Sequence, residues 1–171
     1  MILDCIGKSI FLFLIYNMVT ILIFGIPKSL SDTYYLYKSR LNVLKVLFPA
    51  TIMMLAICLL PCWIDISKGS NFQFLSFLSV LSLAFVGVSP TFKDDPLDNK
   101  VHNISAIISV ICALLWIVLV TNYWYVILIM VAIVIVAAIL TKTFKTCYMY
   151  WIEIATFMST FITILLHHLL G

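Results

Sequence analysis

The last apolar stretch of this chain carries polar side chains at intervals of three and four residues. This polar ladder consists of Tyr150, Glu153, Thr156, Thr160, Thr163 and His167. Such intervals place all of its members on one face of an α-helix. Hydroxyl, carboxyl and imidazole groups on one face are suited to binding a polar ligand, relaying protons or lining a path for a solute.

Glu153 is the ladder residue with the most specific implication, because it is the only acidic residue well inside an apolar stretch. An ionisable side chain costs at least about 2.5 kcal/mol at the centre of a bilayer, so it normally faces protein or water and marks a functional position. In a functional role, Glu153 would accept a proton from, or pair with, His102, Lys142 or Lys145. The alternative is that Glu153 is neutralised by protonation, or paired with Tyr150 and packed serines, and only holds helices together.

A second polar face lies in the fourth apolar stretch and includes His102, Ser105 and Ser109. If both stretches enter the membrane from the same side, this face and the ladder can line one polar chamber. Helix packing through small residues is the competing interpretation, because serine, alanine and glycine favour close contact between membrane helices.

The densest group of acidic residues lies in a connection and includes Asp94, Asp95 and Asp98. Its DDxxD pattern is the kind that presents carboxylates to magnesium and a diphosphate, since magnesium prefers oxygen ligands. Pro96 interrupts the pattern and no second acidic motif exists. We therefore expect a solvated turn that caps the next helix through Asp98 or Asn99.

The histidines do not indicate a zinc enzyme. A catalytic zinc takes about three protein ligands, and the chain has only His102, His167 and His168. The last two are adjacent and point in different directions on a helix, while His102 is expected at the opposite face of the membrane. The sequence therefore indicates no catalytic residues, no metal and no cofactor.

The composition indicates an all-α, polytopic integral membrane helix bundle. Apolar residues make up 64% of the 171 and charged residues 10%, against about 45–50% and 25% in soluble domains. A crossing needs roughly 20 apolar residues. Six stretches qualify within a single domain spanning 1–171, at about 9–26, 43–64, 72–89, 104–121, 123–140 and 147–169. Pro61 is expected to kink or end the second helix.

Basic residues predict the orientation. Eight lie in the first, third and fifth connections, at Lys28, Lys38, Arg40, Lys45, Lys93, Lys100, Lys142 and Lys145. Only Lys8 and Lys68 lie on the other side, which predicts both termini outside the cytosol of an inner or plasma membrane. Tyr34, Tyr35 and Tyr37 in the first connection predict a short helix in the headgroup layer. Nothing indicates nucleic-acid binding, which would need a concentrated basic face.

Three short segments support a resemblance to a known family. They read Pro-Lys-Ser-Leu-Ser-Asp at 27–32, Phe-Val-Gly-Val-Ser-Pro at 85–90 and Val-His-Asn-Ile-Ser-Ala at 101–106. With six stretches of similar length, the chain resembles the small membrane proteins related to damage-regulated autophagy modulators and their bacterial counterparts. The resemblance implies a six-helix fold and a lipid-related role, and it does not account for Glu153 or the acidic connection.

These observations lead to three hypotheses about function. The first is non-enzymatic binding or transport of a lipid or small solute in a chamber between the fourth and sixth stretches. The second is an oligomeric pore or membrane effector whose conduction path is lined by the polar ladder. The third is a lipid-modifying enzyme that uses His102 with the acidic connection. Membrane lipids are the expected partners, and self-association is left open.

Overall fold

A computed structural model describes residues 2–40 and 42–170 of the protein. Helices dominate these two ranges, and neither contains a strand. The α-helices are α1 (Ile2–Phe24), α2 (Thr33–Arg40), α3 (Leu47–Ser67), α4 (Phe74–Val88), α5 (Pro96–Trp116), α6 (Trp124–Leu140) and α7 (Tyr148–Leu170). A 3-10 turn at Asn42–Val46 precedes α3, and a π-helical turn at Ile117–Thr121 continues α5.

Four of these helical segments are long and apolar enough to cross a membrane. They span Leu3–Phe24, Asn42–Ser67, Pro96–Thr121 and Tyr148–Leu170. The other two apolar helices, α4 and α6, have 15 and 17 residues, or about 22 and 26 Å of a hydrocarbon layer that is about 30 Å thick. The all-helical, membrane-type architecture is confirmed, and the six crossings and the placement of the termini stay predictions.

Two helix boundaries differ from those that the sequence predicted. Helix α5 begins at Pro96, because Asp95 accepts hydrogen bonds from the backbone N–H groups of Leu97 and Asp98 and proline fits the first helical position. The expectation that Asp98 or Asn99 would form the cap is therefore wrong. Helix α3 continues through Pro61 to its end at Ser67.

The packing order places α3 near the centre of the bundle. It contacts α1, α4 and α7, and α4 lies between α3 and α5. Helix α6 packs chiefly on α7, and its buried side chains recur at intervals of four residues as Val126, Met130, Val134 and Ala138. Most of its remaining surface consists of exposed apolar side chains, as expected of a helix that faces lipid.

The connections after α1 and α4 meet at one end of the bundle. Lys38 of α2 pairs with Asp94 at 2.9 Å, and Lys93 pairs with Asp32 at 2.5 Å. The backbone N–H of Lys93 also donates to the hydroxyl of Tyr35. Two of the three connections that the charge pattern assigns to the cytosol are therefore joined by direct contacts.

Helix α2 forms as expected, but two of its tyrosines are not headgroup anchors. Tyr34 and Tyr37 are 6% and 1% exposed, and the hydroxyls of Tyr37 and Thr20 are hydrogen-bonded at 3.1 Å. The ring of Tyr37 also meets that of Phe24 edge to face. These contacts fix α2 against the end of α1 and so determine where the loop between them lies.

Candidate functional site

The loop from Ile26 to Ser31, which we call the α1–α2 loop, is held against the start of α7. Gly25 ends α1 with a left-handed backbone, φ 77°, which glycine adopts without strain. The backbone N–H of Tyr150 donates to the carbonyl of Lys28 at 3.0 Å. The thiol of Cys147 donates to the carbonyl of Ile26 at 3.6 Å.

Glu153 binds the same loop. Its Oε2 atom accepts a hydrogen bond from the backbone N–H of Leu30 at 2.6 Å. In the part of the chain that the structure describes, Glu153 forms no ion pair, and its Oε1 atom has no hydrogen-bond partner. The structure therefore pairs Glu153 with a backbone amide, and not with the ring of His102 or with Lys142 or Lys145.

His102 binds the next residue of the loop. It is 3% exposed, its Nε2 atom lies 2.8 Å from the hydroxyl of Ser31, and its Nδ1 atom lies 3.0 Å from the carbonyl oxygen of Ser89. Because a carbonyl only accepts, Nδ1 carries the proton and donates. The ring of Phe92 stacks on the imidazole with centroids 4.3 Å apart. Both ring nitrogens are therefore engaged, and His102 joins α5 to two connections.

The remaining ladder residues differ in where their side chains bond. Tyr150 bonds to another helix, whereas Thr156 and Thr160 bond within α7. The hydroxyl of Tyr150 donates to Oδ1 of Asn17 in α1 at 3.1 Å, so this end of the ladder bonds to a neighbouring helix. Thr156 and Thr160 are buried and donate to carbonyls one turn earlier in α7. Thr163 is fully buried and its hydroxyl has no partner in the described residues, while His167 is half-buried.

The serine face of α5 turns mainly toward α4. Ser79 Oγ donates to the carbonyl of Ser109 at 2.9 Å, and Ser109 Oγ donates to the carbonyl of Ser79 at 3.1 Å. Ser105 is buried as well. This reciprocal pair is the close helix contact that small polar residues form in membranes.

A groove of about 420 Å³ lies between α5 and α7. Its walls are mostly apolar and include Ala106, Ile107 and Val110 of α5 and Met149 and Ile152 of α7. One end is polar, with Ser29, Ser31, His102, Asn103 and Glu153. The groove thus places the carboxylate of α7, the imidazole of α5 and the α1–α2 loop at one end of an apolar surface.

A smaller cavity of about 50 Å³ lies behind the groove, between α3, α4, α5 and α7. It shares Ser31, Ala106, Val110 and Glu153 with the groove. Trp63 lines it, and the indole N–H of that residue is buried with no partner among the residues described. Glu153 therefore borders both spaces.

The acidic connection does not form a carboxylate cluster. Asp94 pairs with Lys38, Asp95 caps α5, and Asp98 accepts a hydrogen bond from the Thr91 hydroxyl. Over residues 2–40 and 42–170, no three histidine, cysteine or acidic side chains meet in a way that could hold a metal ion.

The contacts of α2 with this connection change the acidity of two of its side chains. The hydrogen bond to Asp94 raises the pKa of Lys38. Burial raises the pKa of Tyr35.

Sequence reasoning had no signal for the role of the α1–α2 loop. The stretch from Pro27 to Asp32 has the composition of a turn, and a turn pattern does not say what its backbone atoms contact. Asn17 was also missed, because a single amide inside an apolar helix fits simple packing equally well.

Comparisons with protein-family models, curated proteins and solved structures find no match for this chain. The resemblance to proteins related to damage-regulated autophagy modulators therefore stays a prediction.

Proposed function

We propose that this protein binds an amphipathic, lipid-like molecule in the groove between α5 and α7. The observation that carries this proposal is the form of the groove, which has one polar end and mostly apolar walls. An acyl chain would lie along α5, where the apolar lining runs from Ala106 to Ile111, and its headgroup would sit beside Glu153 and the α1–α2 loop.

The size and lining of the groove support this function. Small-molecule sites usually have volumes of about 300–1,000 Å³, with mainly apolar walls and a few polar groups that fix orientation. At about 420 Å³ the groove falls in this range. Because α5 and α7 each belong to a segment long enough to cross a membrane, a bound chain would run beside the surrounding lipid.

The same contacts favour binding over catalysis or conduction. Both ring nitrogens of His102 are hydrogen-bonded, and the three aspartates of the α4–α5 connection serve separate structural contacts. The ladder hydroxyls of Thr156, Thr160 and Thr163 are buried inside a single chain. A conduction path formed between several copies of the chain would therefore have to be lined by residues other than these threonines.

We also propose six crossings of an inner or plasma membrane, with both termini outside the cytosol. The support is the concentration of eight of the ten basic residues in three connections, which typically face the cytosol. Alkaline phosphatase, which is active only outside the cytosol, should be active when fused after the C-terminus and inactive when fused within the α4–α5 connection. The reverse pattern would contradict this orientation.

Substitution of one alanine tests the groove. Ala106 borders both the groove and the cavity, so the indole of Ala106→Trp would occupy the space of the acyl chain. Ala132→Trp is the matched control, because Ala132 lies exposed on α6 and lines neither space. Native mass spectrometry after incubation with phosphatidylethanolamine and phosphatidylglycerol would count the lipids that each variant retains.

The wild type and Ala132→Trp should retain lipid, and Ala106→Trp should bind it about tenfold more weakly, which equals about 1.4 kcal/mol. Circular dichroism would show whether each variant is folded. If Ala106→Trp does not fold, Ile107→Trp tests the same space, because Ile107 lines the groove and is 59% exposed. Equal retention by the folded groove variant and the control would refute the proposal.

A further inference from the structure

Glu153 is the only Asp, Glu, Lys or Arg residue that lines the groove within the described part of the chain. One oxygen accepts from the backbone of Leu30, and the other has no hydrogen-bond partner among those residues. Burying a charge without a partner is costly. An incoming group that carries positive charge and N–H donors would therefore gain from this position.

The basic side chains that pair near the groove's polar end have other acidic partners. Lys93 pairs with Asp32, which directly follows Ser31, and Lys38 pairs with Asp94. These contacts occupy the ammonium groups of Lys93 and Lys38, whereas Lys28 of the α1–α2 loop is exposed and forms no ion pair in the described ranges. Lys142 and Lys145, close to α7 in sequence, form no ion pair in the described ranges. Within those ranges, no basic side chain forms an ion pair with Glu153.

Two of the other polar groups at this end are already engaged. His102 uses both ring nitrogens for Ser89 and Ser31, and the hydroxyl of Ser29 accepts from the backbone N–H of Asp32. They leave the free carboxylate oxygen as the strongest unused hydrogen-bond acceptor beside the groove. An anionic headgroup would meet like charge there.

From these contacts, and resting on the lipid-binding function proposed above, we infer that the groove selects phospholipids with a primary ammonium headgroup, such as phosphatidylethanolamine. The ammonium group would donate to Oε1 of Glu153 while the acyl chain lies along the apolar lining of α5. A quaternary ammonium of the same charge, as in phosphatidylcholine, has no N–H to donate. Hydrogen-bond donation is therefore the property that distinguishes the two headgroups.

A competition experiment tests this selection. The purified protein would be equilibrated with mixed vesicles of dioleoyl phosphatidylethanolamine and dioleoyl phosphatidylcholine in equal amounts, and the retained lipids counted by native mass spectrometry. Because the acyl chains are identical, any preference reports the headgroup. The wild type should prefer the primary amine about tenfold, which equals about 1.4 kcal/mol.

Glu153→Gln is the matched variant. Its amide oxygen can still accept from Leu30, so the loop contact is kept while the negative charge is lost. It should retain lipid with no preference between the two headgroups. If this variant does not fold, the wild type can be tested with mono- and dimethylated phosphatidylethanolamine, for which retention should fall as each N–H is replaced.

The outcomes separate the two proposals. A wild type that retains lipid without preference would overturn the headgroup inference and leave lipid binding intact. A preference that survives in folded Glu153→Gln would refute the role of the carboxylate. A wild type that retains no lipid would refute lipid binding itself.

Discussion

Replacement of His102 by leucine should destabilise the protein, because the imidazole of this buried residue joins three parts of the fold. The imidazole hydrogen-bonds to Ser31 in the α1–α2 loop and to Ser89 after α4. Its ring also stacks on Phe92. Leucine has a similar volume but forms none of these polar contacts. The replacement therefore removes the side chain that joins α5 to the α1–α2 loop and to the segment after α4.

The magnitude follows from these contacts. Side-chain hydrogen bonds within membrane proteins average about 0.6 kcal/mol and reach about 1.7 kcal/mol, and an aromatic pair adds about 0.5–1.5 kcal/mol. His102→Leu should therefore lower the free energy of unfolding by about 2–5 kcal/mol. Reversible unfolding by sodium dodecyl sulfate in a mild detergent, followed by circular dichroism, would measure it.

Asn103→Leu provides the control on the same helix. Asn103 is exposed, and its side chain donates to Asn99 one turn earlier in α5, so its replacement should change the stability by less than about 0.5 kcal/mol. A second measurement is the maleimide labelling rate of Cys147, whose thiol contacts the α1–α2 loop. It should rise only in His102→Leu. Equal stability losses in the two variants would refute the reasoning.

Two further predictions concern packing and charge. Gly87→Val should lower the free energy of unfolding by about 1–3 kcal/mol, because a Cβ atom there would lie 3.2 Å from the side chain of Met53; chemical unfolding in detergent would measure the change. The Lys38–Asp94 pair should stabilise the protein at neutral pH, because that pair raises the pKa of Lys38. The stability difference between wild type and Asp94→Asn should vanish as pH rises through that raised pKa and should shrink in about 1 M salt.

Both predictions have internal controls. Gly7 lies in α1 with nothing within 4 Å of an added Cβ, so Gly7→Val should cost clearly less than Gly87→Val. Equal losses would show that glycine at position 87 serves no close helix contact. For the ion pair, a difference between wild type and Asp94→Asn that persists above the raised pKa of Lys38 would contradict the assigned partner.

The positions of the helices could be predicted from the sequence because apolar length is a local property. Each of the six predicted stretches overlaps one apolar helix of the structure, although α4 and α6 are shorter than the other four. The errors occurred where local rules compete. Pro61 does not end α3, so that expectation is wrong, while the alternative of a kink stays a prediction. The polar first turns of α5 were assigned to a loop because their cap at Asp95 lies in an acidic cluster.

The sequence also indicated that Glu153 and His102 are the polar residues to examine, since their types and their positions in apolar stretches are visible without a structure. It did not indicate their partners. The hydrogen bond from Leu30 to Glu153 joins residues 123 positions apart, and the one between Ser31 and His102 spans 71.

What the sequence determined by itself is therefore the membrane-type helical character and the identity of the unusual polar side chains, because both depend on composition and periodicity along a single segment. Only the tertiary structure decided that the α1–α2 loop lies between α5 and α7, that the ladder divides into two groups, and that one oxygen of Glu153 is left without a partner. These features depend on how helices distant in sequence pack, and no local pattern encodes that packing.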